Sequence, residues 1–269
     1  MKLLHKILVQ STTFCLFSAI SLLAEDIDPS NPTQLNTSIN PIYEHQSFNA
    51  EGEPSYHNDI LKVEAQMSGP GMLLLAEVGY GKNSFTDKSN MVDSRFRFFH
   101  LPYSNETEGA LVNALGWSID TFIPTGDYDE KLGSGAWTFS PGVITAHNFS
   151  WGALYPNLMY QYTVAEESSL KDSLRAQGLD DSSQAVRFDL HVSPKMPAGW
   201  WLMLSPSFTT SLKNADDGAS LKVFTGFFIS EKQAIGLESE YSFKIVEDRL
   251  NYVQNGQEVY VKVMYQHYF

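Results

Sequence analysis

Cysteine is nearly absent: Cys15 is the only one in 269 residues, and it precedes Ala24, near which an export signal is expected to end. A mature chain without thiols has no disulfide, no thiolate metal site and no catalytic cysteine. Basic residues are also scarce, with 18 Lys and Arg against 31 Asp and Glu and a formal net charge of -13. Such a surface repels a phosphate backbone, which argues against nucleic acid as a partner. Short catalytic motifs are missing as well: there is no His-Glu-x-x-His and no Gly-x-Ser-x-Gly. The run Gly79-Tyr80-Gly81-Lys82-Asn83-Ser84 falls short of a phosphate loop, because Ala76 stands where the first glycine belongs and Asn83 separates lysine from serine. The histidines have no ligand-like spacing. The chain is therefore read as non-enzymatic, with no cofactor and no metal, although a Ser-His-acid triad assembled in space would leave no trace in sequence. No internal repeat and no Gly, Ser or Pro linker divides the chain.

What is present begins with the leader. Lys2 and Lys6 precede a short apolar stretch interrupted by Gln10, Ser11 and Thr12, with small residues near Ala24 and then Glu25 and Asp26. That order is a secretory signal peptide over 1–24 rather than a membrane anchor. Phe14 before Cys15 argues against lipidation. Residues 25–56 are rich in Asn, Pro, Ser, Thr and Glu, and read as a polar leader or a plug for the domain that follows at 57–269.

From Asn58 onward the residues alternate. Val186, Phe188, Leu190 and Val192 take one side while Arg187, Asp189, His191 and Ser193 take the other; Phe96 and Phe98 oppose Arg95 and Arg97. A helix would scatter those charges around its circumference, whereas a strand sorts them onto one face. Strands are expected at 57–67, 71–82, 93–103, 110–122, 136–148, 150–165, 185–194, 199–213, 219–230, 233–247 and 258–269, with a weak one near 40–50. Counted back from the C-terminus, long and short connections mostly alternate, and the long ones carry the acids. This describes an all-β fold, a transmembrane antiparallel β-barrel of the outer-membrane type with about twelve strands: tight periplasmic turns, longer external loops, and no edge left in hydrocarbon. Trp151, Tyr155, Tyr160, Trp200 and Trp201 are candidates for the aromatic girdles.

The last strand, EVYVKVMYQHYF, alternates up to a terminal Phe269. It resembles the signal by which outer-membrane barrels are recognised by the barrel-assembly machinery, with His267 departing from the usual apolar residue. The segment GWSIDTFIPTGDYDEKLGSGAWTFSPGV at 116–143, with RFRFFHLPY at 95–103, PAGWWLMLSP at 197–206 and FTGFFI at 224–229 in order around it, resembles the outer-membrane family named for the MetA-pathway of phenol degradation. A Gly-Lys pair frequent in that family is replaced here by Gly226-Phe227. The resemblance implies a bacterial outer-membrane transporter of aromatic or other apolar compounds.

On this reading the polar face lines a lumen containing Arg95, Arg97, Asp120, Arg187, Asp189, His191, Lys222, Glu238, Glu240 and Lys262, with Trp201 and Phe228 as inward aromatics. The mixed charges either select solutes by a transverse field or pair across the interior and hold the barrel together. Asp127, Asp129 and Glu130 belong to a connection that is either structural or a pore-mouth constriction. The partners implied are outer-membrane lipid and lipopolysaccharide, the barrel-assembly machinery and a small-molecule solute; a non-transporting structural or adhesive barrel is the alternative.

Overall fold

Alternation over ten or more residues leaves each strand apolar on one face and polar on the other, and the chain satisfies both faces by curling into a cylinder. The structure, a computed structural model, describes residues 27–49, 55–105, 107, 110–176, 178–213, 217–244 and 257–269. The expected signal peptide at 1–24 lies outside them.

The strands are β1 (Ser38–Asn49), β2 (Tyr56–Gly69), β3 (Met72–Asn83), β4 (Ser89–Met91), β5 (Ser94–Ser104), β6 (Ala114–Ile123), β7 (Ala136–Phe149), β8 (Gly152–Ala165), β9 (Ser182–Pro194), β10 (Trp200–Lys213), β11 (Gly218–Ser230), β12 (Gln233–Lys244) and β13 (Gln257–Tyr268). Every pairing is antiparallel, and β1 pairs with β13, so the sheet closes on itself. The short β4 continues the line of β5 along β3, which leaves a wall of twelve strands.

Two differences from the expected elements have plain causes. The weak strand near 40–50 is a full wall strand, so the barrel begins at Ser38 and not at residue 57. Its inward residues include Ser38, Asn40, Glu44 and Gln46, and with polar residues on both faces the apolar half of the alternation is thin. The connection after β8 also holds a helix, α1 (Ser168–Ala176), whose Leu170 and Leu174 lie one turn apart and bury against Ala136 and Ala165.

The two ends of the barrel differ. At one lie the start of β1 and the end of β13, where the Phe269 N–H donates to the Thr37 carbonyl at 3.1 Å, and the tight turns at 70–71, 150–151 and 231–232. Gly71 serves the first of these with φ +65, a left-handed backbone that side-chain-bearing residues rarely adopt. At the other end lie the connections between β3 and β5, β6 and β7, and β8 and β9, the last with α1. Short turns with the termini mark the periplasmic end of an outer-membrane barrel.

The outer face is largely apolar through mid-strand, with Leu61, Val63, Val78, Val143, Leu158, Leu221, Leu237 and Val263 exposed. So much exposed hydrocarbon on a closed sheet is explained by lipid contact. Trp151 stacks on Phe149 at 5.5 Å and Trp200 packs on Phe227 at 5.1 Å, both toward the periplasmic end and both exposed. Tyr160 is exposed too, but Trp201 and Tyr155 are not girdle residues: each is 2 % exposed, because their strand phase turns them inward. Among the described residues no helix is long and apolar enough to cross a membrane.

Candidate functional site

The interior is layered along the barrel axis. Midway lies a belt of charge built by side chains of matching phase on neighbouring strands. Arg95 and Arg97 of β5 both grip Asp120 of β6, Arg95 Nη2 at 2.6 Å and Arg97 Nη2 at 2.5 Å from the same Oδ2. On β9, Arg187 Nε lies 2.7 Å from Asp189 Oδ1 and its Nη2 donates to Ser207 Oγ at 3.1 Å, while His191 Nδ1 is 2.8 Å from Ser205 Oγ. Lys222 of β11 reaches Glu240 at 3.3 Å and Glu238 at 3.7 Å, and Lys262 of β13 closes on Glu238 at 3.0 Å. The Tyr260 hydroxyl donates to Glu240.

The sequence missed the members that complete this belt. Lys62 of β2 bridges Glu44 of β1 at 2.9 Å and Glu77 of β3 at 3.2 Å, and Glu64 accepts from Asn40 at 2.9 Å and Gln66 at 2.8 Å. Glu44 was hidden by the assignment of its segment to the leader. Glu77 was hidden by the run of three leucines before it, where alternation cannot be seen; extending the phase backward from Gly79 and Gly81 would have found it.

Accessibility within the belt is uneven. The side chains of Lys62, Lys262, Arg95, Lys222, Arg187 and Arg97 are 12 to 34 % exposed, while the carboxylates they pair with are 2 to 13 % exposed. Acidic groups lie close to the wall and the longer basic side chains reach over them.

Trp201 and Phe228 do not join the belt. They pack edge to face, 5.4 Å apart, in an apolar cluster at the periplasmic mouth with Ile42, Phe224, Met264 and Tyr268. Gly226 makes room for the indole: a Cβ there would stand 2.2 Å from Trp201 Cζ2. A second cluster, from Leu73, Phe99, Ile144 and Tyr155, lines the facing strands β3 to β8.

At the external mouth the connection 124–135 folds back over the barrel. Gly126 and Ser134 donate their N–H groups to the two oxygens of Asp93, at 3.0 and 2.7 Å, and Leu132 buries against Ile60 and Val92. Asp127 accepts from the Glu130 N–H at 3.1 Å and from Asn90 at 3.0 Å. Asp127 and Asp129 border a cleft of about 330 Å³ with Glu167. Among the described residues no group of three or more His, Cys, Asp or Glu could hold a metal ion.

No protein-family model matches the chain, and no curated protein matches it either. Solved structures do. An outer membrane channel from Pseudomonas putida F1 aligns with a TM-score of 0.59 at 14 % identity over 91 % of this chain and 100 % of that one. The NanC porin aligns at 0.53 and 9 % identity over 87 % of this chain and 99 % of its own. The translocator domain of the autotransporter NalP from Neisseria meningitidis aligns at 0.53 and 10 % identity over 98 % of both. Similarity at these identities is similarity of fold, and the fold is that of outer-membrane barrels.

Proposed function

We propose that this chain is an outer-membrane channel or transporter for small solutes, with a lumen that prefers anions. The observation that carries the reading is the uneven exposure of the belt: arginine and lysine side chains accessible inside a closed wall, each over a nearly buried carboxylate. A barrel that served only as a scaffold or an adhesin would gain nothing from basic groups held open to its interior. Ion pairing alone would be served equally well by burying both partners. The similarity in fold to the Pseudomonas putida outer membrane channel and to the NanC porin supports this reading. The resemblance of residues 95–103, 116–143, 197–206 and 224–229 to the phenol-degradation family favours solutes with an aromatic or apolar body, and the aromatic residues of the periplasmic mouth suit such a body. Connection 124–135 narrows the external mouth, residues 1–24 direct export, and the strand ending at Phe269 is read by the assembly machinery.

The test is reversal potential across a planar bilayer holding the refolded protein in a salt gradient. Discrete current steps with anion preference are expected, and Arg97→Glu, which places a carboxylate at the most exposed basic position, moves the reversal potential toward cations. A folded barrel that passes no current and takes up no solute in liposomes would transfer the assignment to the structural or adhesive alternative.

A further inference from the structure

Toward the external end of β1 and β2 the outer face of the wall changes character. At mid-strand it carries Tyr43 paired with Leu61, both exposed; one step further out His45 pairs with Asp59, and one step beyond that Ser47 pairs with His57. His45, Ser47, His57 and Asp59 share one phase and so form a square on a single face of the two strands. Continuing the row of Ser47 around the wall brings Val259 of β13 and then Tyr241 of β12, both exposed. The polar square therefore opens outward, beside lipid-facing residues, and not into the lumen.

Hydrogen bonds set the chemistry of the square. Asp59 Oδ1 lies 2.8 Å from His45 Nδ1 and accepts from the Tyr43 hydroxyl at 2.7 Å. An ionised carboxylate only accepts, so Nδ1 carries the proton and the lone pair of His45 resides on Nε2. Ser47 stands two residues along the same face, about 7 Å away along the backbone, a span that an imidazole and a hydroxymethyl group reach across together. The His57 ring lies 5.3 Å from that of His45, and its Nε2 is 3.9 Å from the second oxygen of Asp59. His45, His57 and Asp59 are all about half-exposed. A hydroxyl, an imidazole beside it and an acid that fixes the tautomer of that imidazole are the parts of a nucleophilic hydrolase, here drawn from two strands.

We propose that Ser47, His45 and Asp59 form a serine-hydrolase site on the outside of the barrel, which cleaves an acyl ester of a phosphorylated lipid in the outer leaflet. The substrate class follows from height and surroundings. Tyr43 and Tyr80 flank Leu61 in one row, an exposed aromatic pair of the kind that marks the membrane interface, and the square lies one step beyond it, where acyl chains give way to headgroups. Lys82 of β3, opposite Asp59 and 2.6 Å from Asp87, brings a cation to the same row for a headgroup phosphate. In the reaction Ser47 Oγ attacks the ester carbonyl carbon while His45 Nε2 takes the hydroxyl proton, and His57, facing Ser47, donates to the carbonyl oxygen as charge develops there. The ester C–O bond then breaks and His45 returns the proton to the leaving alcohol. Water, deprotonated by His45, releases the fatty acid from Ser47 and restores the site, so that ester and water give acid and alcohol.

The refolded full-length protein is assayed for fatty acid released from detergent micelles of phosphatidylethanolamine or of lipopolysaccharide, and is treated with a fluorophosphonate, whose site of attachment is located by mass spectrometry. Expected are attachment at Ser47 and release from one lipid or both, which identifies the source of the ester. Ser47→Ala and His45→Gln abolish both signals. Asp59→Asn, which acts through His45, lowers kcat by about a hundredfold or more and leaves KM in place. Retention of the barrel in each variant is checked by heat-dependent gel mobility. The site lies outside the lumen, so Ser47→Ala leaves conductance unchanged and the outcome is read independently of the channel reading. No release from either lipid by the folded parent, or release that persists in Ser47→Ala, overturns the proposal.

Discussion

On the same strands, a few residues apart, the lumen is held together in two different ways. On β13 the residue at the belt is Lys262, ion-paired to Glu238; one and three inward positions further on are Met264 and Tyr268, in the apolar cluster. On β12 the sequence passes from Glu238 to Ala234, and on β10 from Ser205 to Trp201, over the same distance. Ion pairs in the belt are directional and mutually dependent, because Asp120 serves two arginines, Glu44 two lysines and Glu238 two lysines. Apolar contacts at the mouth have no direction and accept any surface of suitable size. The comparison teaches that the belt is a fixture of the wall, whereas the mouth is a place where one occupant can replace another.

The largest expected effect tries to break the belt. Asp120→Ala leaves the guanidinium groups of Arg95 and Arg97 beside one another with their shared partner gone. Removing one member of a buried ion pair typically costs about 3–5 kcal/mol. The urea midpoint of the refolded barrel should fall accordingly, and Asp120→Asn, which keeps an acceptor but no charge, should fall between that variant and the parent. An unchanged midpoint in Asp120→Ala would mean that the belt does not hold the wall, and the contrast with the mouth would collapse.

A smaller effect is expected from the mouth. In Gly226→Ala the new methyl would stand 2.2 Å from Trp201 Cζ2 and equally close to the Ile235 carbonyl. Overpacking of this kind costs about 1–3 kcal/mol, and the indole has to move toward the lumen. Tryptophan emission should shift along with a modest drop in the urea midpoint; a midpoint lowered as far as in Asp120→Ala would show that the mouth is as much a part of the wall as the belt.

How much of this was legible in sequence follows from the same physics. Strand period is written in the order of residues, so the closed antiparallel wall and the inward phase of Arg95, Arg97, Asp120, Arg187, Asp189, Lys222, Glu238, Glu240 and Lys262 could be read from alternation alone. Phase says which face a residue takes but not how high it sits relative to the next strand. Which cation meets which carboxylate, and which is the more exposed, therefore waited for the register. Trp201 and Tyr155 were girdle candidates by residue type, and their strand phase turns both inward. Strand β1 was read as leader because polar residues occupy both of its faces, and its pairing with β13 depends on closure, a property of the whole sheet. Helix α1 carried a signal, Leu170 and Leu174 at helical spacing, inside an acidic connection read only for its charge.

The smallest expected effect sharpens the comparison most, because it separates residues 27–37, which pack on the apolar clusters ahead of β1, from the wall itself. Ser30→Ala removes a hydroxyl that meets Ser193 at 2.5 Å and Asp28 Oδ1 at 2.6 Å, while Asp28 still accepts from the backbone N–H of residue 30 at 2.9 Å, so the turn keeps its backbone bond and its attachment weakens. Each hydrogen bond of this kind contributes about 0.5–1.5 kcal/mol. Because residues 27–37 share no strand pairing with the barrel before Ser38, that loss should appear locally, as faster hydrogen exchange and earlier protease cleavage within residues 27–37, with the urea midpoint of the barrel unmoved. If instead exchange rises throughout β9 and β10, the segment is part of the wall, and the mouth belongs with the belt.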